Sequence, residues 1–176
     1  MIPCLPFQHP ITWNLFRPIN CSVKKDRLRP TMTTRIDFGW LSIAIMEGWN
    51  SEVGADDEVP FLAIVPTNAQ AELRLTPCDF SVVDYSAREW IEIVARMNRM
   101  MGRRVSETSF NGFSGYECEF ATDDLRIHGR CLEHSGSPLD ITYRCPVDLD
   151  ISYDQEAISM LQSLRRLTNA ESGHRE

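Results

Sequence analysis

The chain has 176 residues, of which 43% are apolar, and this is enough to bury one ordinary core without a metal or disulfide staple. Its net charge of −7 argues against nucleic acid or an anionic membrane surface as the main partner. The sequence has no apolar run of about 18 residues, so it predicts no membrane-spanning helix.

Residues 1–31 differ from the rest of the chain in charge and in proline content. They hold five Lys/Arg and one Asp, a net charge of +4, so residues 32–176 carry −11. Five of the ten prolines also lie here, and they exclude a continuous helix or a central strand. We therefore predict an extended or disordered Pro-rich tail outside the fold, without a secretory signal. In one interpretation Met32 is the natural start; in the other the tail is a docking peptide that uses Phe7, Trp13 and Phe16.

The first pattern of the domain predicted for residues 32–168 is a strand. From Arg35 onward the residues alternate, and the apolar parity consists of Leu41, Ile43 and Ile45. This alternation predicts a strand with one buried and one exposed face, which ends at the Glu-Gly-Trp of 47–49.

An acidic stretch separates this strand from the next two. Residues 54–58, GADDE, predict a solvated loop. The apolar run 61–65 is typical of a strand that is covered on both faces. Residues 71–75 alternate again, after a turn at 66–68.

Residues 86–102 change to a helical period. The repeating apolar face consists of Trp90, Val94, Met97 and Met101, and Ile91 lies beside it. Ser86 and Glu89 form a capping box at the start, and Gly102 can adopt the left-handed conformation that closes the last turn.

The next segment predicts a meander of antiparallel strands. Asn111-Gly112 joins two strand patterns as a two-residue hairpin turn, because both residues accept positive φ angles. Further strands are predicted at 124–131 and 139–145, and consecutive strands of this kind usually pair with one another.

Residues 154–167 predict a final helix, with a stripe of Ile158, Leu161 and Leu164. Asp154 is the expected N-cap, and Arg165 and Arg166 suit the negative C-terminal end. Residues 169–176 are predicted to be a frayed tail. Together the elements predict an α+β fold class, an antiparallel β-sheet with helices packed on it.

Three cysteines lie on the apolar parity of the meander strands, namely Cys118, Cys131 and Cys145. A cysteine in such a place behaves as a small hydrophobe, so we predict that all three project inward. The spacing does not favour zinc, because the chain has no Cys-x2-Cys pair. We therefore expect no metal and no cofactor.

A thiol nucleophile remains an alternative. It would need a thiolate stabilised by a nearby histidine or helix N-terminus. His134 lies in a turn near Cys131, and Cys78 precedes the first helix in a segment that reads as a loop. The alternative function is therefore a small thiol-dependent enzyme that uses Cys131 or Cys78.

The opposite parity of the same strands is polar and mixes charges. We predict that it forms either a solvated face of ion pairs or a surface that binds a protein partner. The candidate binding residues are Glu117, Glu119, Arg126, His128, Arg130 and Arg144.

The segments FGWLSIAIMEGW and SFNGFSGYECEF resemble the Mog1/PsbP-like α/β/α sandwich, and within it the bacterial DcrB-type domains. Residues 46–49 stand where those domains have a P-x-G-W-like turn, with Met46 in place of the usual proline. Asn111, Gly112 and Tyr116 match a recurring N-G-x-x-x-Y segment. The resemblance covers about residues 32–168, and its motifs are turn and core residues.

The resemblance implies a binding module more often than an enzyme. Members of this fold serve as adaptors, small-GTPase binders, photosystem subunits and chaperones for secreted effectors. We therefore predict a cytoplasmic, non-catalytic protein-binding module, adaptor or chaperone-like, with a protein partner and without nucleic acid or membrane insertion. Its oligomeric state stays open.

Overall fold

The structure is a computed structural model, and it describes residues 31–78, 85–97 and 105–167. Except for Thr31, the tail predicted at 1–31 lies outside the described residues, and so do the predictions for 169–176, for Met101 and for Gly102.

Ten strands and two helices are present in the described part of the chain. In chain order they are β1 (Met32–Phe38), β2 (Leu41–Met46), β3 (Trp49–Asp56), β4 (Val59–Pro66), β5 (Glu72–Pro77), α1 (Ala87–Met97), β6 (Ser106–Phe110), β7 (Phe113–Ala121), β8 (Leu125–His134), β9 (Ser137–Pro146), α2 (Ser152–Gln162) and β10 (Arg165–Arg166).

Seven of these strands form one antiparallel sheet in the order β3-β4-β5-β9-β8-β7-β6. The predicted meander from β6 to β9 is confirmed, and so is its Asn111-Gly112 turn, whose φ angles are 47° and 87°. Both helices pack on sheet strands, so the predicted α+β fold class with an antiparallel sheet is confirmed.

Each face of the large sheet has its own apolar core. Helix α1 covers one face over β7 and β8, where Ile91 and Cys131 are both fully buried. The opposite face carries a larger core that is closed by α2 and by a second, three-stranded sheet of order β1-β2-β10. Leu41, Ile141 and Met160 from these layers are fully buried there. We name the two surfaces of the large sheet the α1 face and the α2 face.

The first predicted strand is in fact a hairpin. Gly39, with a φ of 58°, and Trp40 turn the chain between β1 and β2, which pair antiparallel. The prediction of one exposed face is wrong for β2, because Ser42 and Ala44 on its small-residue parity are also buried. Strand β2 is the middle strand of its sheet and contacts α2, so neither parity meets solvent.

The predicted acidic loop at 54–58 is also corrected. Residues 54–56 belong to β3, and Asp57 and Glu58 form a two-residue turn with φ angles of 47° and 69°. Acidic residues are poor strand formers, but all eight residues of β3 pair with β4, and this pairing outweighs local preference. Only alternate residues of β4, such as Leu62 and Ile64, are buried. One face of β4 is therefore covered, and the prediction that both faces are covered is wrong.

Helix α1 begins as predicted. The Ser86 N–H donates to Glu89 Oε2 at 2.8 Å and the Glu89 N–H donates back to Ser86 Oγ at 3.3 Å, which confirms the capping box. The most buried side chains are Ile91 and Ala95, so the inner face is rotated from the predicted stripe of Trp90 and Val94.

The final helix is shorter than predicted and begins earlier. Helix α2 starts at Ser152, whose N–H donates to Asp150 Oδ1 at 2.8 Å, so Asp154 lies inside the first turn and is not the N-cap. Ile158 of the predicted stripe is exposed, while Met160 and Leu161 are buried. Arg165 and Arg166 leave the helix and form β10 against β2, because the chain turns after Gln162.

Candidate functional sites: a charged cluster and a free sheet edge

The register between β8 and β9 decides which side chains share a face. Cys131 lies opposite Asp140, and Leu132 lies opposite Leu139. The apolar parity of β8 therefore lies on the same face as the polar parity of β9. Because of this, Cys118 and Cys131 are buried under α1, whereas Cys145 is buried in the core on the α2 face. All three sulfurs are inside the protein, as predicted, but they lie on two faces of the sheet.

The same register divides the predicted binding surface. Arg144 lies on the α1 face, where its Nη2 donates to Glu72 Oε2 at 2.6 Å. The other five residues share the α2 face, and we name them the charged cluster: Glu117, Glu119, Arg126, His128 and Arg130. The single polar face predicted from the sequence is therefore two faces.

Most of the charged cluster is committed to internal ion pairs. Arg130 Nε donates to Glu117 Oε2 at 2.9 Å, and the Arg130 side chain is only 7% exposed. Arg126 Nη2 lies 2.7 Å from Asp154 Oδ2 in the first turn of α2. Glu119 is the open member, with 61% of its side chain exposed. The arginines therefore hold β7, β8 and α2 together rather than presenting free guanidinium groups.

His128 occupies the middle of this cluster. Burial lowers its pKa; Glu119 opposes this effect, with Nε2 and Oε1 3.7 Å apart, and Arg130 adds to it. The imidazole packs against Tyr143 with ring centroids 5.9 Å apart. Burial also raises the pKa of the Tyr143 hydroxyl, and the nearby Cys145 and Asp154 raise it further. Both shifts favour the neutral form of the ring.

The described thiols are poor nucleophiles for a physical reason. Burial raises the pKa of Cys78 to about 12 and that of Cys118 to about 11, and it raises the pKa of Cys131 and Cys145 as well. Asp140 raises the pKa of Cys78, Cys118 and Cys131 further, because a thiolate at any of these positions would be repelled by the carboxylate. A thiol enzyme needs the opposite change.

Metal-binding geometry is also absent from the described residues. No group of three or more His, Cys, Asp or Glu side chains in residues 31–78, 85–97 and 105–167 is arranged to hold an ion.

A second candidate site, which the sequence did not predict, is the outer edge of β3. This strand ends the large sheet, and no described strand pairs with its outer side. The Thr67 N–H donates to Gly48 O at 2.8 Å, so Gly48 and Thr67 are a hydrogen-bonded pair. Along an antiparallel ladder, hydrogen-bonded and non-hydrogen-bonded pairs alternate from this point. Even-numbered residues of β3 therefore bond to β4, while Ser51, Val53 and Ala55 point their N–H and C=O groups outward.

The positions of the prolines in β4 agree with this assignment. Pro60 and Pro66, which lack an N–H, lie opposite Ala55 and Trp49, in pairs that need no ladder bond. Val53 is 61% exposed beside the fully buried Leu62.

Strand β3 has few of the devices that protect sheet edges. It contains no proline and no lysine, and its eight pairs with β4 run without a register shift. A regular edge of this length is a template for an added strand. The outward groups of β3 are backbone atoms, so the sequence could indicate this edge only through the alternation that is typical of a strand. The acidic residues 54–58 do not alternate in this way, and they predict a loop instead.

The chain resembles solved structures in fold. A Bacteroides thetaiotaomicron VPI-5482 protein superimposes with a TM-score of 0.51 at 13% identity, over 75% of this chain and 47% of that one. The chain thus spans about half the length of that protein. LpqN, which is involved in cell envelope biogenesis of Mycobacterium tuberculosis, has a TM-score of 0.46 and 11% identity, over 73% of this chain and 83% of its own. No protein-family model and no curated protein sequence matches the chain.

Among the described residues, neither helix has the length and apolar character needed to cross a membrane.

Proposed function

We propose that this protein is a non-catalytic binding module that recognises an extended segment of a protein partner by adding it as a strand to β3. The observation that carries the proposal is the regular outer edge at Ser51, Val53 and Ala55, with which no strand among the described residues pairs. In this mode main-chain hydrogen bonds supply affinity, and side chains that alternate along the new strand supply specificity.

The thiol pKa values support this proposal over the thiol-enzyme alternative. Cys131 and Cys78, the two candidate nucleophiles, both have a pKa raised by burial and by Asp140. At neutral pH a thiol of this kind is almost entirely protonated, so it is a weak nucleophile.

The fold family, the cellular location and the type of binding role are also part of this proposal. The layering of a helix on each side of an antiparallel sheet supports the Mog1/PsbP-like resemblance and the bacterial DcrB-type comparison. We also propose a cytoplasmic location and an adaptor or chaperone-like role. The four described cysteines are free thiols, which is typical of proteins in a reducing compartment.

In this proposal the charged cluster stabilises the fold and contributes one exposed side chain. Glu119 is its open member, and the ion pairs of Arg126 and Arg130 fix the neighbouring strands and α2. A partner that also contacts the α2 face would meet Glu119 first.

The test uses a displayed library of random peptides and three full-length chains: wild type, Val53→Pro and Val53→Thr. Proline removes one outward N–H and is tolerated on an edge strand, while threonine keeps both the N–H and the branched shape. We expect selected peptides to bind wild type and V53T but not V53P, with the same circular dichroism spectrum in all three. Peptides that bind V53P as well as wild type, or a failure to select any, would contradict strand addition.

A further inference from the structure

The alternation of β3 places its acidic side chains on one face of the large sheet. Val53 lies opposite Leu62, which is buried in the core on the α2 face. Neighbouring residues of a strand point to opposite faces, so Glu52 and Asp56 lie on the α1 face, and both are exposed. Residues 47–58 contain five acidic side chains and no basic one, so the edge is negatively charged along its length.

The hydrogen-bond pattern of β3 brings these two carboxylates close to an added strand. All neighbouring strands of the large sheet pair antiparallel, and an added antiparallel strand would bond to Ser51, Val53 and Ala55. Glu52 and Asp56 would then stand in non-hydrogen-bonded pairs, where opposite Cα atoms are about 4.5 Å apart instead of about 5.5 Å. Opposite charges in such pairs stabilise the sheet, and like charges destabilise it.

The position between the two carboxylates has a different surrounding. Phe61 lies opposite Gly54, and its ring covers the glycine so closely that a Cβ at residue 54 would collide with Cζ of the ring. The Arg74 guanidinium stacks on the same ring, 3.6 Å from its centroid, and also pairs with Asp56. A partner side chain opposite Gly54 would therefore meet a ring that already carries a cation, so a second cation there would be repelled.

The two carboxylates are not equivalent. Asp56 shares its charge with Arg74, whereas Glu52 forms no ion pair with another described residue. A basic side chain opposite Glu52 would meet a carboxylate that is not already neutralised. Glu52 should therefore contribute more than Asp56 to the choice of partner.

We infer that the partner segment carries two basic side chains four residues apart, one opposite Glu52 and one opposite Asp56. An uncharged residue lies between them, opposite Gly54. The two remaining positions face the α2 face beside Ala55 and the exposed Val53, and they are apolar. This inference rests on the proposed function, because it names the sequence that the β3 edge selects: basic, apolar, uncharged, apolar, basic.

A second copy of the chain is a poorer occupant of the same edge. Strand β3 contains Glu52 and Asp56 and no basic residue, so a second β3 would add like charges. Dimer formation through β3 is therefore one of the outcomes that would contradict the inference.

The experiment measures the binding of three short labelled peptides to the full-length chain by fluorescence anisotropy. Between identical Ser-Thr flanks, their cores are Lys-Val-Thr-Val-Lys, Glu-Val-Thr-Val-Glu and the rearranged Val-Lys-Thr-Lys-Val. The rearranged core has the same composition as the first, but its lysines are two residues apart and cannot lie opposite both carboxylates. We expect wild type to bind the first peptide at least about tenfold more tightly than either of the others.

Three variants of the chain test the role of Glu52. Glu52→Lys should reduce the preference for the lysine peptide over the glutamate peptide to about threefold or less, and Glu52→Gln should give an intermediate preference. The matched control is Glu107→Lys, an equal change of charge at an exposed position of β6, at the opposite edge of the sheet. It should keep the wild-type preference. Raising sodium chloride from about 0.05 M to about 0.5 M should weaken binding of the lysine peptide to wild type.

Several results would overturn the inference. They are equal affinity of wild type for the three peptides, binding of none of them, and a wild-type preference that E52K and E52Q retain. Sedimentation that shows a dimer for wild type and a monomer for V53P would assign the edge to a second copy of the chain.

These outcomes are separable from those of the proposed function. If peptides selected from the random library bind wild type but not V53P and carry no basic residues, the charge preference fails while strand addition stands. If the lysine peptide binds V53P as tightly as wild type, it binds through charge alone, and both the inference and strand addition fail.

Discussion

The indole Nε1 of Trp90 donates a hydrogen bond to Asp140 Oδ1 at 3.2 Å, across the interface between α1 and β9. Burial raises the pKa of Asp140 from 3.8 to about 6, and the indole N–H and Arg74 only partly oppose this rise. The carboxylate lies among the thiols that pack under α1 and shifts their pKa values in turn. One partly buried acid therefore links the packing of α1 to pH.

Asp140 should make stability fall as pH rises. Its folded pKa is above its unfolded value, so the folded state binds the proton more tightly, and this contribution is full below about pH 4 and lost above about pH 6. Relative to Asp140→Asn, wild type should lose up to about 2–3 kcal/mol of unfolding free energy across that window. Urea denaturation at a series of pH values measures the difference.

Trp90→Phe provides the control for this prediction. Phenylalanine keeps the ring but removes the N–H that stabilises the carboxylate, so the pKa of Asp140 should rise further and the loss should extend to higher pH. Unfolding free energies of wild type and D140N that stay parallel from about pH 4 to pH 7 would show that Asp140 is not buried in this way.

Arg130 should matter for stability and Glu119 should not. Replacing the nearly buried Arg130 by methionine removes its bond to Glu117 and should lower the unfolding free energy by about 1–3 kcal/mol. Glu119→Gln changes an exposed side chain and should cost less than about 0.5 kcal/mol. Thermal denaturation of both variants compares them, and equal losses would contradict the division of the charged cluster into a buried part and an open part.

The four described cysteines should react slowly with iodoacetamide. In a full-length chain with Cys4→Ser and Cys21→Ser, the raised pKa values should slow labelling of all four thiols relative to free cysteine at pH 7, by about 100-fold or more at Cys78 and Cys118. Mass spectrometry of the labelled peptides gives the four rates. A single thiol that reacts faster than free cysteine would support the thiol-enzyme alternative instead.

Asn111 should stabilise the β6–β7 turn in two ways. It adopts a φ of 47°, and its Nδ2 donates to Leu164 O at 2.7 Å, which ties the hairpin to the segment before β10. Asn111→Gly keeps the backbone freedom and should lose about 1 kcal/mol, while Asn111→Ala loses both contributions and should lose about 2 kcal/mol. Chemical denaturation ranks the variants, and an alanine variant as stable as the glycine variant would contradict the strained turn.

The elements with strong local signals could be predicted from the sequence. Asn111-Gly112 specifies its turn by itself, and Ser86 with Glu89 specifies the start of α1, because the atoms that make these structures are close together in the chain. The apolar parity of each meander strand was predicted correctly for the same reason.

The relation between strands could not be predicted in this way. Parity within β8 and within β9 is a local property, but the pairing of Cys131 with Asp140 depends on the register set by the Ser135-Gly136 turn. A polar parity was assumed to continue from strand to strand, and this placed Arg144 on the wrong face. Strand β3 was missed because its acidic residues are stabilised there by pairing with β4, which is a non-local interaction.

The most direct measurement of the central claim is amide NMR of the full-length chain, titrated with a selected peptide. Strand addition predicts large shifts and slowed exchange at the Ser51, Val53 and Ala55 amides, with much smaller changes at Asn50 and Gly54, which bond to β4. Shifts confined to other surfaces, with these three amides unchanged, would contradict the account.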